Sequence, residues 1–210
     1  MIKVASSQYG VFFGDQLHLP CSIATVVGYA AQFVEMDLQP TFVDKRSIDA
    51  DAEACRDSDY LLCSCYCWNW RATNRLAKRA KELNPRLKVV FGGPEVPDHS
   101  AGFFEQHPWV DVIVHGEGEH ALMLILEGSE GREFAMPRIA DLSVIPSPFT
   151  TGLMWDLAER GKHRWVASWE TNRGCPFCLH VLRNWRHARR HPLRQSTDRR
   201  YSQRRVGARV

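Results

Sequence analysis

The chain is predicted to be a doubly wound α/β domain built on a five-stranded parallel sheet. Three observations predict it. Short β-rich runs alternate with helical ones through the first 127 residues. Two of those runs, VVFG at 89–92 and VIVH at 112–115, are continuously apolar instead of alternating, as expected for strands covered on both faces. Loops rich in glycine or aromatic residues follow the strands.

Taken in order, the first strand is IKVAS, residues 2–6, and a helical apolar pattern follows in IATVVGYAAQFVEM, 23–36. Next come strand TFVD at 41–44, helix IDADAEAC at 48–55, strand YLLCSC at 60–65 and the long helix WRATNRLAKRAKEL at 70–83. Strand KVVFG at 88–92, a short helix SAGFFEQH at 100–107, strand VDVIVH at 110–115 and helix EHALMLILE at 119–127 complete the domain. Strands separated by helices require right-handed crossovers, which gives a Rossmann-like, flavodoxin-like sheet. The expected organisation is a domain over 1–130, a connecting region over 131–169, a cysteine-bearing segment over 170–178 and a tail over 179–210.

Composition narrows the classes. With 210 residues and 44% hydrophobic residues, the chain can bury a core. It has no run of about 18 apolar residues to span a membrane, and MIKVASSQYG lacks the apolar stretch of a secretory signal. The expected compartment is the cytoplasm. Three of the seven cysteines crowd into Cys63, Cys65 and Cys67, unlike a disulfide framework. The net charge of +3 hides a basic tail: residues 179–210 hold ten Arg, no Lys and one acid. That tail has no apolar period and is expected to be disordered or only locally ordered.

Ligands of such sheets sit at the carboxyl ends of the strands, near the point where strand order reverses. The loops there are SSQYG, YCWNW, GGPEVP and GEGEH. Glycines at 92, 93, 116 and 118 admit close approach to the backbone, and Tyr66, Trp68 and Trp70 offer wide apolar faces. Together they suit a large, flat, partly polar ligand. Plainer roles stand beside this: Gly92-Gly93-Pro94 is a common strand-ending turn, and Cys63, Cys65 and Cys67, spaced by two, read as small core residues on one strand face. A phospho-receiver domain would need acidic residues where Ser6 and Ser7 stand and a lysine where His115-Gly116 stands. A nicotinamide domain would need GxGxxG where SSQYGVFFGD stands. A flavodoxin-like phosphate loop would need more hydroxyl and glycine residues than Ser6, Ser7 and Gly10 provide.

The series Trp68-Asn69, VVFGGPEVP, VDVIVHGEGEHAL, IPSPF and ETNRGCPF resembles the cobalamin-binding domain of cobalamin-dependent radical SAM proteins, leading into their radical SAM domain. The resemblance covers residues 1 to about 178. It implies a corrinoid over the carboxyl ends of the strands. The implied contacts are Ser64, Tyr66, Trp68 and Asn69 from one loop, Gly92, Gly93, Pro94 and Glu95 from the next, and Gly116, Glu117, Gly118 and Glu119 from the third. No DxHxxG motif is present, so a corrinoid without a histidine ligand is expected. Within the resemblance, the substrate and the reaction cannot be read.

A radical SAM cluster motif is CxxxCxxC, three thiolates that leave one iron of a [4Fe–4S] cluster open to S-adenosylmethionine. Here Cys175 holds the first position, Leu179 and Leu182 stand at the second and third, and Cys178 falls one place early. Cys175 and Cys178 are thus the candidate metal ligands, and the cluster and S-adenosylmethionine are expected only in an intact relative. Two readings compete for this region. A change of frame after Phe177 would replace the rest of an enzyme by Arg-rich sequence. Alternatively Cys175, Cys178, His187 and His191, spaced C-x2-C-x8-H-x3-H, would form a zinc module. A non-catalytic protein using the basic segment on nucleic acid is the alternative of a different class, although the tail has few aromatics to stack bases.

Overall fold

The computed structural model describes residues 1–154, 163–168, 170, 172–173 and 194–195. Residues Met1–Arg138 and Pro146–Ser168 form one compact unit, and Ile139–Ile145 with Trp169–Val210 form a second.

The first unit follows the predicted alternation. Its elements are β1 (Ile2–Ser7), β2 (Gln16–His18), α1 (Cys21–Ala30), β3 (Met36–Phe42), α2 (Ile48–Ala54), β4 (Tyr60–Ser64), α3 (Trp70–Leu83), β5 (Lys88–Gly92), α4 (Phe103–Gln106), β6 (Val112–His115), α5 (Glu119–Leu126), β7 (Glu133–Ala135) and β8 (Arg164–Val166). Six strands form a sheet in the order β3-β1-β4-β5-β6-β7, and each neighbouring pair is parallel. Strand order reverses between β1 and β4, which places the switch point there.

Both faces of the sheet are covered. Ala5, Leu61, Cys63, Val89, Phe91 and Ile113 pack toward Ile48, Ala52, Leu76, Ala77, Ala80 and Phe103 of α2, α3 and α4. Their chain neighbours Val4, Leu62, Val90, Val112 and Val114 pack toward Ile23, Val27, Ala121, Leu122 and Ile125 of α1 and α5. Adjacent residues serve opposite layers because successive strand side chains point to opposite faces. This is why the central strands read as unbroken apolar runs.

The structure departs from the predicted elements at four places. The first helix ends at Ala30, six residues before the end of its apolar pattern, because Val34 and Met36 continue to pack on the same core after the helix has stopped. The second sheet strand runs from Met36 to Phe42 and not from residue 41. Pro40 disguises it, yet is tolerated on an edge strand where the register with β1 shifts between Val4–Leu38 and Ser6–Thr41. A sixth strand, β7, lies in the segment read as connecting chain, with Phe134 buried and Glu133 and Ala135 exposed. Finally, β2 pairs in parallel with β8 in a small second sheet.

In the second unit, Leu142–Val144 form a 3-10 turn in which Asp141 accepts a hydrogen bond from the Ser143 N–H at 2.9 Å. There β9 (Asn172–Arg173) pairs antiparallel with β10 (Arg194–Gln195), which places a short paired segment inside the Arg-rich stretch.

Candidate functional site at the carboxyl edge of the sheet

Because β4, β5 and β6 are adjacent and parallel, the loops after them emerge side by side along one edge. The first loop carries an aromatic platform. Tyr66 and Trp68 stack with ring centroids 4.4 Å apart and planes 11° apart, and Trp68 is 48% exposed, a large apolar face turned to solvent. Trp70 serves a different purpose. As the first residue of α3 it packs edge-on against Phe91 and His107, so it belongs to the domain's packing and not to the platform.

Asn69 is held within the protein. It is 1% exposed; its Oδ1 accepts the Tyr66 N–H at 2.7 Å, while Nδ2 donates to Ser64 O at 2.9 Å and Tyr9 O at 3.2 Å. One amide therefore clasps the loops after β1 and β4 across the switch point, with both its donors used within the protein. Ser64, the last residue of β4, is itself buried.

Tyr9 gives this clasp a fixed end. Its side chain is fully buried, and its hydroxyl donates to Asp51 Oδ2 of α2 at 2.7 Å. Burial raises the pKa of both groups; for the Tyr9 phenol the Asp51 carboxylate adds to the rise, and for Asp51 the hydrogen bonds from Tyr9 and Ser47 oppose it.

The second loop is shaped by contact with the first. Gly93 has φ of 103°, and a Cβ there would lie 2.6 Å from Cys65 O and 2.9 Å from Cys65 N. Its glycine is required by the close approach of two loops. The Cys65 N–H donates to Gly92 O at 2.7 Å and Cys65 O accepts the Glu95 N–H at 3.2 Å. Pro94 and Glu95 are exposed beyond this contact.

The third loop divides its residues. Gly116, with φ of 72°, has nothing within 4 Å of a built Cβ, so it borders open space. Gly118 instead lies 3.3 Å from Val26 by the same measure, letting α5 approach α1. Glu117 pairs with Arg138 at 4.0 Å. Glu119 is 1% exposed in the first turn of α5; after burial, its charge is the second cause that pushes the Tyr29 phenol up. Trp68, Gly93, Pro94, Glu95 and Gly116 are exposed along this edge, while Asn69 and Glu119 are buried beneath it.

The three spaced cysteines do not share one strand face. Cys63 and Cys65 are buried, while Cys67, beyond the end of β4, is exposed. Burial pushes the Cys63 and Cys65 thiols up, and that of Cys55 in the same core up to about 12. Such thiols stay protonated and are poor metal ligands. Among the described residues, no group of three or more His, Cys, Asp or Glu could hold a metal ion. Cys175, Cys178, His187 and His191 lie outside the described residues. No helix among the described residues is long and apolar enough to cross a membrane.

The chain that forms this parallel sheet matches a known class of domain. The B12 binding domain family model matches residues 16–126, and the chain belongs to that family. Among its relatives, it is 38% identical over 176 residues to the cobalamin-dependent radical SAM methyltransferase TokK of Streptomyces tokunonensis, covering 71% of this chain and 25% of that protein. It is 38% identical over 144 residues to the 2-(S-pantetheinyl)-carbapenam-3-carboxylate methyltransferase of Streptantibioticus cattleyicolor, covering 58% and 21% respectively. An anaerobic magnesium-protoporphyrin IX monomethyl ester cyclase of Rubrivivax gelatinosus is 24% identical over 204 residues, covering 83% and 36%. The chain thus spans about a quarter of the length of the first two relatives.

Proposed function

We propose that this chain holds a corrinoid over the carboxyl edge of its sheet, as a cobalamin-binding domain of a radical SAM methyltransferase-like protein. The observation that carries the reading is the Tyr66–Trp68 stack, its indole half exposed on the same sheet edge that carries the unobstructed glycine at Gly116. A corrin ring is broad and flat with a polar rim; an indole face suits its plane, and the exposed backbone and side chains of Pro94, Glu95 and Gly116 suit its edge. Family membership and the relatives' names support cobalamin as the ligand.

The donor set also supports a corrinoid without a histidine ligand. The indole N–H of Trp68 donates and has no lone pair for cobalt, and no DxHxxG stands in the chain. The two methyltransferase relatives support methyl carriage as the chemistry that the bound corrinoid supplies. The domain's own residues would seat the ring and hold the loops in register. S-adenosylmethionine and a [4Fe–4S] cluster belong to the chemistry of a complete radical SAM protein; here Cys175 fills the first position of the cluster motif and Cys178 falls one place short of the second.

The test uses the full chain. Incubation with hydroxocobalamin followed by desalting is expected to leave a coloured protein. Trp68→Ala is expected to weaken binding about ten-fold with the sheet intact. A folded chain, shown by far-ultraviolet circular dichroism, that elutes without corrinoid would falsify the proposal.

A further inference from the structure

The loop that carries Trp68 is anchored from two sides, and one anchor lies outside every motif that the sequence brings forward. Asn69 is the inner anchor. The outer one is a hydrogen bond of 2.7 Å between the Tyr66 hydroxyl and Ser22 Oγ, residues 44 positions apart. Ser22 is exposed on the first turn of α1. That turn is itself held, because Gln8 Oε1 accepts the Ile23 N–H at 3.0 Å while the Gln8 N–H donates to Phe42 O at 3.0 Å. A line of contacts therefore runs from the backbone of β3 through Gln8 and the start of α1 to the Tyr66 ring. Trp68 lies on that ring at 4.4 Å and 11°.

We infer that Ser22 is a positioning residue for the corrinoid platform: its hydroxyl pins the Tyr66 ring and, through it, the plane of the Trp68 indole. The inference rests on the corrinoid reading above. An exposed serine hydroxyl and an exposed tyrosine hydroxyl are equally well satisfied by water, so their bond adds little to stability. Its effect is orientation. Trp68 is half exposed, and the Tyr66 ring on which it stacks has one end tied to α1. A platform ordered before binding spares the cost of ordering two aromatic side chains on the ligand.

The experiment compares Ser22→Ala, Ser22→Thr, Trp68→Ala and the double variant Ser22→Ala/Trp68→Ala in the full chain. Each is titrated with hydroxocobalamin, and the near-ultraviolet circular dichroism of each is recorded without corrinoid. Ser22→Ala is expected to weaken binding about five-fold, to diminish the near-ultraviolet signal of the stacked pair and to leave the thermal midpoint within about 1 °C of the parent. Ser22→Thr keeps the hydroxyl and is expected to restore both readouts. In the Trp68→Ala background, Ser22→Ala is expected to change affinity no further, because the serine acts through the indole. Parent-like affinity and spectrum in Ser22→Ala would overturn the inference, as would an equal loss of affinity in both backgrounds. If the parent chain holds no hydroxocobalamin, the corrinoid reading fails; the ligand-free spectra then still decide whether Ser22 sets the indole.

Discussion

Replacing Gly93 by Ala tests the approach of the two central loops. The new Cβ would sit 2.6 Å from Cys65 O and 2.9 Å from Cys65 N, distances at which backbone must move. Holding a side chain at φ of 103° costs about 1–2 kcal/mol. The loops cannot part freely, since Cys65 donates to Gly92 O and accepts from Glu95 N–H, and loosening two such bonds costs about 1 kcal/mol each. The sum is about 3 kcal/mol, which for a domain of this size lowers the melting midpoint by about 9 °C. Gly116→Ala is the control: it too has positive φ, but nothing lies within 4 Å, so about 1 kcal/mol and about 3 °C are expected. The bulkier Gly116→Trp should abolish hydroxocobalamin retention while keeping the sheet. Thermal melts followed at 222 nm, with retention after desalting, read both effects. A Gly93→Ala midpoint within about 2 °C of the parent would mean that the loops after β4 and β5 do not meet as described.

Asn69→Ala removes a buried amide that satisfies three backbone groups; a loss of about 3 kcal/mol in urea unfolding is expected, and a loss below about 1 kcal/mol would show that water replaces it. His107 packs among Trp70, Phe103 and Trp109, and burial holds its imidazole below the ordinary value. The unfolded chain then takes up the proton first, so stability is expected to fall as pH drops through about 6.5 and to level off below the folded value. His107→Gln should flatten that slope in melts between about pH 7.5 and 5.5, and an unchanged slope would assign it to other groups. Anaerobic reconstitution of the purified chain is expected to give no electron paramagnetic resonance signal that responds to S-adenosylmethionine, because Leu179 and Leu182 stand where thiolates are needed; a responsive signal would show that Cys175 and Cys178 find a further ligand.

How much of this was legible follows from where each signal lives. The central strands and the loops after them were readable, because burial on both faces leaves unbroken apolar runs and parallel pairing puts the loops on one edge. The edge strands were harder. In β3, Pro40 breaks the pattern, and β7 is three residues long with one buried side chain. At the candidate site, the sequence pointed to three loops that the sheet does bring to one edge, but not to which of their residues face outward. Gly93 and Gly116 look alike as letters, yet one meets backbone and the other meets space. Asn69 carried only a misleading signal: an asparagine just before a helical run suggests a side-chain cap, yet its amide makes no cap hydrogen bond and reaches back to Tyr66, Ser64 and Tyr9 instead. Ser22 and Tyr9 carried none, since their roles depend on partners 44 and 42 residues away.

The clasp at Asn69 explains why the site needs so few polar side chains. At the switch point, Tyr66 N, Ser64 O and Tyr9 O would otherwise look for partners in the crevice where strand order reverses. Covering them with a flat macrocycle would strip their water, at about 1–3 kcal/mol for each group left unmet. One buried amide meets all three before any ligand arrives. Tyr9 can lend its carbonyl without moving, because its ring is enclosed in the core and its hydroxyl is tied to Asp51. The surface that remains is aromatic and glycine-lined, and it can take a broad apolar face without leaving backbone groups unsatisfied beneath it. Changes at Tyr9 or Asn69 should therefore weaken fold and ligand together, whereas changes at Trp68 should weaken the ligand alone, and that separation distinguishes the frame of the site from its contact surface.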